Sequence, residues 1–173
     1  MNGVLMSSQL VREARPSDFQ KILQLNKQSE HFLNEMDHRH LESLHGNAAY
    51  HRVVELDGGV VAFLIAFREG VNYDYPSYVW FVENYEKFLY IDRIVVANSC
   101  QGQGLGHILY SDLINFAKLN LALRVTCEFD TDPPNEVSRR FHERFGFKEV
   151  GTQLVASGKK IVSLQALNIA TQL

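Results

Sequence analysis

The stretch QGQGLG, residues 101 to 106, constrains the fold of this chain more than any other feature. It follows the apolar run FLYIDRIVVAN (88 to 98) and opens GLGHILYSDLINFAKLN (104 to 120), where Leu105, Ile108, Leu109, Leu113 and Phe116 recur three and four apart. The first run reads as a strand and the second as a helix with one apolar stripe. LALRVTCEFD (121 to 130) then returns to strand composition. Strand, glycine-rich turn, helix and strand make a βαβ crossover, which requires a parallel strand pair inside a larger sheet.

Other elements alternate around this unit. QLVREA (9 to 14) alternates apolar with polar residues as a strand does, and PSDFQKILQLNKQSE opens on Pro16, Ser17 and Asp18 before Phe19, Ile22, Leu23 and Asn26 at helical spacing. LNEMDHRHLESLHG predicts a second, shorter helix ended by Gly46. Two apolar runs flank Asp57-Gly58, a strong hairpin signal. NEVSRRFHERFG (135 to 146) predicts a helix, and FKEVGTQLV with KKIVSLQALNI a closing strand pair. At 173 residues without repeats or a linker, the expectation is one domain spanning 1 to 173.

Composition limits the function classes. A chain 46% hydrophobic and 21% charged suits a water-soluble globule, and no apolar run approaches the roughly 18 residues of a membrane span. No membrane partner is expected. The opening stretch lacks a basic segment followed by an apolar one, which points to the cytoplasm. A formal charge of -3 without a basic stripe argues against nucleic acid. Cys100 and Cys127 form no CxxC pair and read as free thiols with no base partner in sequence. Histidines 31, 38, 40 and 45 lack a cysteine partner, so no metal is expected and they read as polar faces.

A helix starts with unpaired backbone N–H groups and the positive end of its dipole, so a glycine-rich entry suits a phosphate group. The loop is not the dinucleotide fingerprint, because His107 stands where a third glycine is needed, and it lacks the Gly-Lys-Ser/Thr of a Walker loop. In the predicted helix after Pro133-Pro134, Val137, Phe141 and Phe145 form one apolar line expected to pack, leaving a second line of Asn135, Ser138 and His142 for a ligand. Read without context, Asn135 is a cap and His142 a surface histidine.

These residues resemble the GNAT superfamily of acetyl-CoA-dependent N-acetyltransferases. The likeness lies in Val96 followed by Gln101, Gly102, Gln103, Gly104, Leu105 and Gly106, and then in Asn135, Ser138, His142, Gly146 and Phe147 at the family's spacing. It extends over about residues 9 to 168 and is weakest from Gly70 to Lys87. It implies an α/β fold with a central, mostly antiparallel sheet, a splayed parallel strand pair and flanking helices. It implies acetyl-CoA as co-substrate, with its pyrophosphate on the backbone of Gln103, Gly104, Leu105, Gly106 and His107. Gln101 and Gly102 stand in the same loop, and Asn135 and Ser138 serve the cofactor side. Backbone groups of Ile94, Val95 and Val96 would meet the pantetheine amides as an added strand does. Gln101 and Gln103 are neutral where the family often carries Arg or Lys.

The implied reaction moves an acetyl group to a primary amine by direct attack in a ternary complex. An alkylamine near pKa 10.4 is almost wholly charged at neutral pH, so a base must take a proton. Asp92 and Glu128 are the candidates, Glu128 preferred. The family usually assigns protonation of the leaving thiolate to a Tyr; His142 occupies that position here, and histidine can donate near neutral pH. The alternative for Asp92 is an ion pair with a cation such as Arg93, and for Glu128 a solvated strand end. Residues 70 to 90, dense in aromatics, are expected to form a loop over the acceptor, with Tyr73, Tyr75 and Trp80 as binding residues and Asp74 or Glu83 supplying charge. A peripheral aromatic core or dimer contact is equally compatible, so a homodimer stays open. The acceptor is a small-molecule or peptide amine. A non-catalytic acyl-CoA sensor is the alternative from another class.

Overall fold

The computed structural model describes residues 9–169. Seven strands, β1 (Gln9–Glu13), β2 (Tyr50–Leu56), β3 (Gly59–Arg68), β4 (Phe88–Val96), β5 (Arg124–Asp132), β6 (Lys148–Val155) and β7 (Lys160–Asn168), lie in the order β1-β2-β3-β4-β5-β7-β6. Five helices flank them: α1 (Phe19–Lys27), α2 (His38–Asn47), α3 (Pro76–Asn84), α4 (Leu105–Leu119) and α5 (Glu136–Phe145). β4 and β5 are parallel, pairing Phe88–Tyr90 with Arg124–Thr126, while β1 with β2, β5 with β7 and β6 with β7 are antiparallel. This is the mixed sheet that the βαβ unit and the closing strand pair predict. None of the helices among the described residues is long and apolar enough to cross a membrane.

Contacts group the chain into two compact units. The first takes the described residues up to Ile65 together with Arg93–Ser111. Its α1 buries Phe19, Ile22, Leu25 and Asn26, so Leu25 rather than Leu23 completes the stripe. Asp57 and Gly58 have φ of 50° and 81°, the left-handed pair a two-residue hairpin turn demands. Asp18, at the entry to α1, accepts from Arg15 N at 2.8 Å and from Arg12 Nη1 at 2.8 Å. Arg93, buried at 5% exposure, donates to Asn26 Oδ1 at 2.9 Å and so ties β4 to α1.

His38, His45 and His51 lie around the ring of Phe19. His38 and His45 meet the ring of Phe19 edge-on, and His45 shares a 2.8 Å hydrogen bond with His51 between their Nδ1 atoms. One proton makes that bond, so double protonation breaks it. Burial, then the charge of His45, pulls the pKa of His51 down to about 4, with Asp18 opposing. Because the folded value lies below the ordinary one, the stabilisation is complete above pH 6.5 and is lost as pH falls toward 4. That amounts to about 2 kcal/mol between pH 7 and pH 5. His51→Phe should shrink the urea-unfolding difference between those two pH values by about this much. An unchanged difference would contradict the assignment.

The second unit takes Ala66–Asp92 and the described residues from Asp112. Its core includes Tyr78, Phe81, Phe88, Tyr90, Val125, Phe147 and Leu164. Residues 70 to 90 are not one loop. Pro76 occupies the first turn of α3, where a missing N–H costs nothing, and Tyr78 and Phe81 bury one face at 1% and 0% exposure. The hydroxyl of Tyr78 donates to Arg68 O at 2.7 Å and accepts from Val71 N at 3.0 Å, fixing the segment that leads into the helix.

Candidate functional site

In the first unit the glycine loop is exposed from Gln101 to Gly104 and runs straight into α4. Gly102 and Gly104 have φ of 76° and 81°, and a Cβ on either would meet nothing within 4 Å. The glycines therefore serve backbone conformation and leave open space beside the chain. Gly104 O accepts from Ile108 N at 3.1 Å, the first helical bond, so the amides of the turn beginning at Leu105 have no acceptor within the helix. Gln101 Nε2 turns to Asn98 Oδ1 at 3.2 Å and Gln103 Nε2 to Ser99 O at 3.4 Å, leaving the loop with amides rather than side-chain charge. Amides without an intrahelical acceptor at an exposed, glycine-rich helix start are an arrangement that suits a phosphate group. On β4, Val95 is buried while Ile94 and Val96 are half-buried.

In the second unit the two candidate carboxylates share a face. Parallel partners point the same way, and Tyr90 pairs with Thr126, so Asp92 and Glu128, each two residues further on, agree in phase. Two tyrosines bridge to them. Tyr73 Oη donates to Asp92 Oδ1 at 2.5 Å, Tyr75 Oη donates to Glu128 Oε1 at 2.8 Å, and the two rings stack at 6.1 Å. Burial pushes the Glu128 carboxyl above its ordinary value; Ser77 and Tyr75 pull it down, and Asp92 and Asp130 add to the rise. The Ser77 contact is not a well-formed hydrogen bond, because Ser77 Oγ and Glu128 Oε2 are both buried without a partner of proper geometry. Glu128 thus has one oxygen anchored and one bare. Burial and Glu128 raise the Tyr75 phenol, which stays a donor. Asp130 is held by Lys160 Nζ at 2.8 Å.

The expected ligand face of α5 is the packed one. Val137 is 83% exposed, whereas His142 is buried at 4%, its ring stacked on Phe129 at 5.6 Å and edge-on to Phe147 at 5.2 Å. Asn135 caps the helix, its Oδ1 accepting from Ser138 N at 3.1 Å, and Gly146, with φ 87°, ends it. His142 Nδ1 donates to Ser138 O at 2.7 Å. Burial pulls the His142 pKa down to about 4 against that bond, so the ring is neutral at pH 7. A neutral, packed histidine argues against the proton-donor role expected from sequence and for one in positioning α5.

Trp80 is likewise not brought to the carboxylates. Its indole packs on β6, where a Cβ on Gly151 would lie 3.3 Å from Cζ2, and meets Phe81 and Tyr85 edge-to-face. Tyr73 and Tyr75 reach the candidate carboxylates, Tyr73 at Asp92 and Tyr75 at Glu128. Cys127 is buried at 2% exposure, and burial, then the charge of Glu128, raises its thiol well above its ordinary value. Among the described residues no group of three or more His, Cys, Asp or Glu is arranged to hold a metal.

Residues 9–147 match the acetyltransferase (GNAT) family, and the chain belongs to it. That membership makes it an acyltransferase whose co-substrate is acetyl-CoA. Among curated proteins no sequence relative matches the chain. The fold is similar to Ard1 from Thermoplasma volcanium, with a TM-score of 0.77 at 16% identity, covering 94% of this chain and 98% of that one. It is also similar to the ribosomal-protein-S18-alanine N-acetyltransferase from Escherichia coli, with a TM-score of 0.73 at 17% identity, covering 96% and 97%. The structure of yncA from Salmonella typhimurium with its cofactor acetyl-CoA gives a TM-score of 0.74 at 18% identity, covering 96% and 97%.

Proposed function

We propose that residues 1 to 173 act as a single N-acetyltransferase domain that moves the acetyl group of acetyl-CoA to a primary amine by direct attack in a ternary complex. The observation that carries this reading is Glu128: a carboxylate out of water, its pKa raised, one oxygen fixed by Tyr75 and the other without a partner. A raised carboxyl is the stronger base, and its bare oxygen is where an ammonium proton would be taken. Asp92, carrying Tyr73, supplies further negative charge for a cationic acceptor, and the faces of Tyr73 and Tyr75 flank it.

The amine nitrogen then bonds to the thioester carbon as the carbon–sulfur bond breaks, and its second proton is lost to solvent. The departing thiolate, near the ordinary thiol pKa of about 8.5, takes its proton from solvent. Gln101 to His107 hold the pyrophosphate through backbone amides, Ile94, Val95 and Val96 align the pantetheine arm, and Asn135 and Ser138 order the start of α5. The acceptor is a small-molecule or peptide amine, and the setting is the cytoplasm. Purified protein with acetyl-CoA should release CoA, followed with a thiol reagent, only when a suitable member of a panel of polyamines, amino acids, aminoglycosides and short peptides is present. CoA binding without release for every acceptor would favour the sensor.

A further inference from the structure

We propose that a groove of about 400 Å³ in the second unit, lined by Arg124, Lys148 and Asn168 with Tyr85, Val150 and Leu167, is a binding site for a small organic anion, a carboxylate or phosphate on a flat apolar body. Its volume is within the usual range for small-molecule sites. No lining residue is acidic. Arg12, Arg68, Arg139 and Lys160 each pair with a carboxylate, but among the described residues neither Arg124 nor Lys148 does. Two uncompensated cations in one concavity of a chain whose net charge is -3 form a local attraction for anions.

The arrangement is set by the sheet. Arg124 pairs with Asn168 across β5 and β7, and Lys148 with Ala166 across β6 and β7, which brings both cations and the Asn168 amide to one patch of sheet. The Arg124 guanidinium lies 4.2 Å from the centre of the Tyr85 ring. A guanidinium held against a ring face can still offer two parallel hydrogen bonds to an oxyanion. Val150, Leu167 and the Tyr85 ring provide the apolar wall that a bare inorganic ion would leave unfilled.

The test is a titration of the full, isotopically labelled chain, with CoA present to occupy the glycine loop, using benzoate and phenyl phosphate as probes and inorganic phosphate as control. The amides of Arg124, Lys148 and Asn168 are expected to shift, with dissociation constants of about 1 mM or tighter for both organic probes and weaker for inorganic phosphate. Lys148→Gln, at an exposed position, and Arg124→Gln should each weaken binding about tenfold without changing CoA affinity. The proposal is overturned by an absence of shifts at these amides, by unchanged affinity in both variants, or by inorganic phosphate binding as well as the organic probes.

Discussion

Glu128→Gln is expected to lower kcat for amine acetylation by about 10²–10⁴ while leaving acetyl-CoA affinity unchanged. Gln is close in shape and can still accept from Tyr75, so the fold is kept and only the proton acceptor is lost. Burial raises the Glu128 pKa, and a base works deprotonated. The rate of the parent enzyme should therefore fall as pH drops through a value above the ordinary carboxylate range, and this acid limb should vanish in the variant. Steady-state kinetics across pH measure both effects. A loss below about tenfold, or an acid limb that survives in the variant, would remove Glu128 from the mechanism.

Gly104→Val should weaken cofactor binding. At φ 81° a β-branched residue is strained by about 1–3 kcal/mol, which corresponds to roughly 5–150-fold in affinity if the loop must hold this conformation to bind. The exposed side chain of Gln103 gives the complementary case: Gln103→Ala should leave affinity within a few-fold, because amides rather than side chains hold the phosphates. Calorimetric titration with CoA separates the two. Parent-like binding by Gly104→Val would mean that the loop conformation is irrelevant to the cofactor.

The crossover, the hairpin at Asp57-Gly58 and the closing strand pair were legible because each leaves a local mark: glycine where φ is positive, or one apolar period. Asp92 and Glu128 are candidates through the family resemblance, whereas their shared face comes from the β4–β5 register, which the sequence does not carry. The helix α3 was written in the chain too, with Pro76 followed by Tyr78 and Phe81 at helical spacing, but the crowd of aromatics hid the period. What local pattern cannot carry is which face a tertiary partner covers. Phe129 and Phe147, from β5 and from the residue before β6, cover His142, so its side of α5 is buried while Val137 stays out. The same burial turns a histidine that looks like an acid in sequence into a neutral one. The tyrosine hydroxyls that orient the carboxylates reach across 19 and 53 residues of chain, beyond any window of sequence.

The central claim is direct acetyl transfer from acetyl-CoA to an amine held with it on the enzyme. It is tested most directly by initial rates of CoA release with acetyl-CoA and the best acceptor both varied. Reciprocal plots that intersect, with no CoA released in the absence of acceptor, are the predicted result. Parallel lines with a burst of CoA before acceptor is added would show an acetylated enzyme and contradict the account.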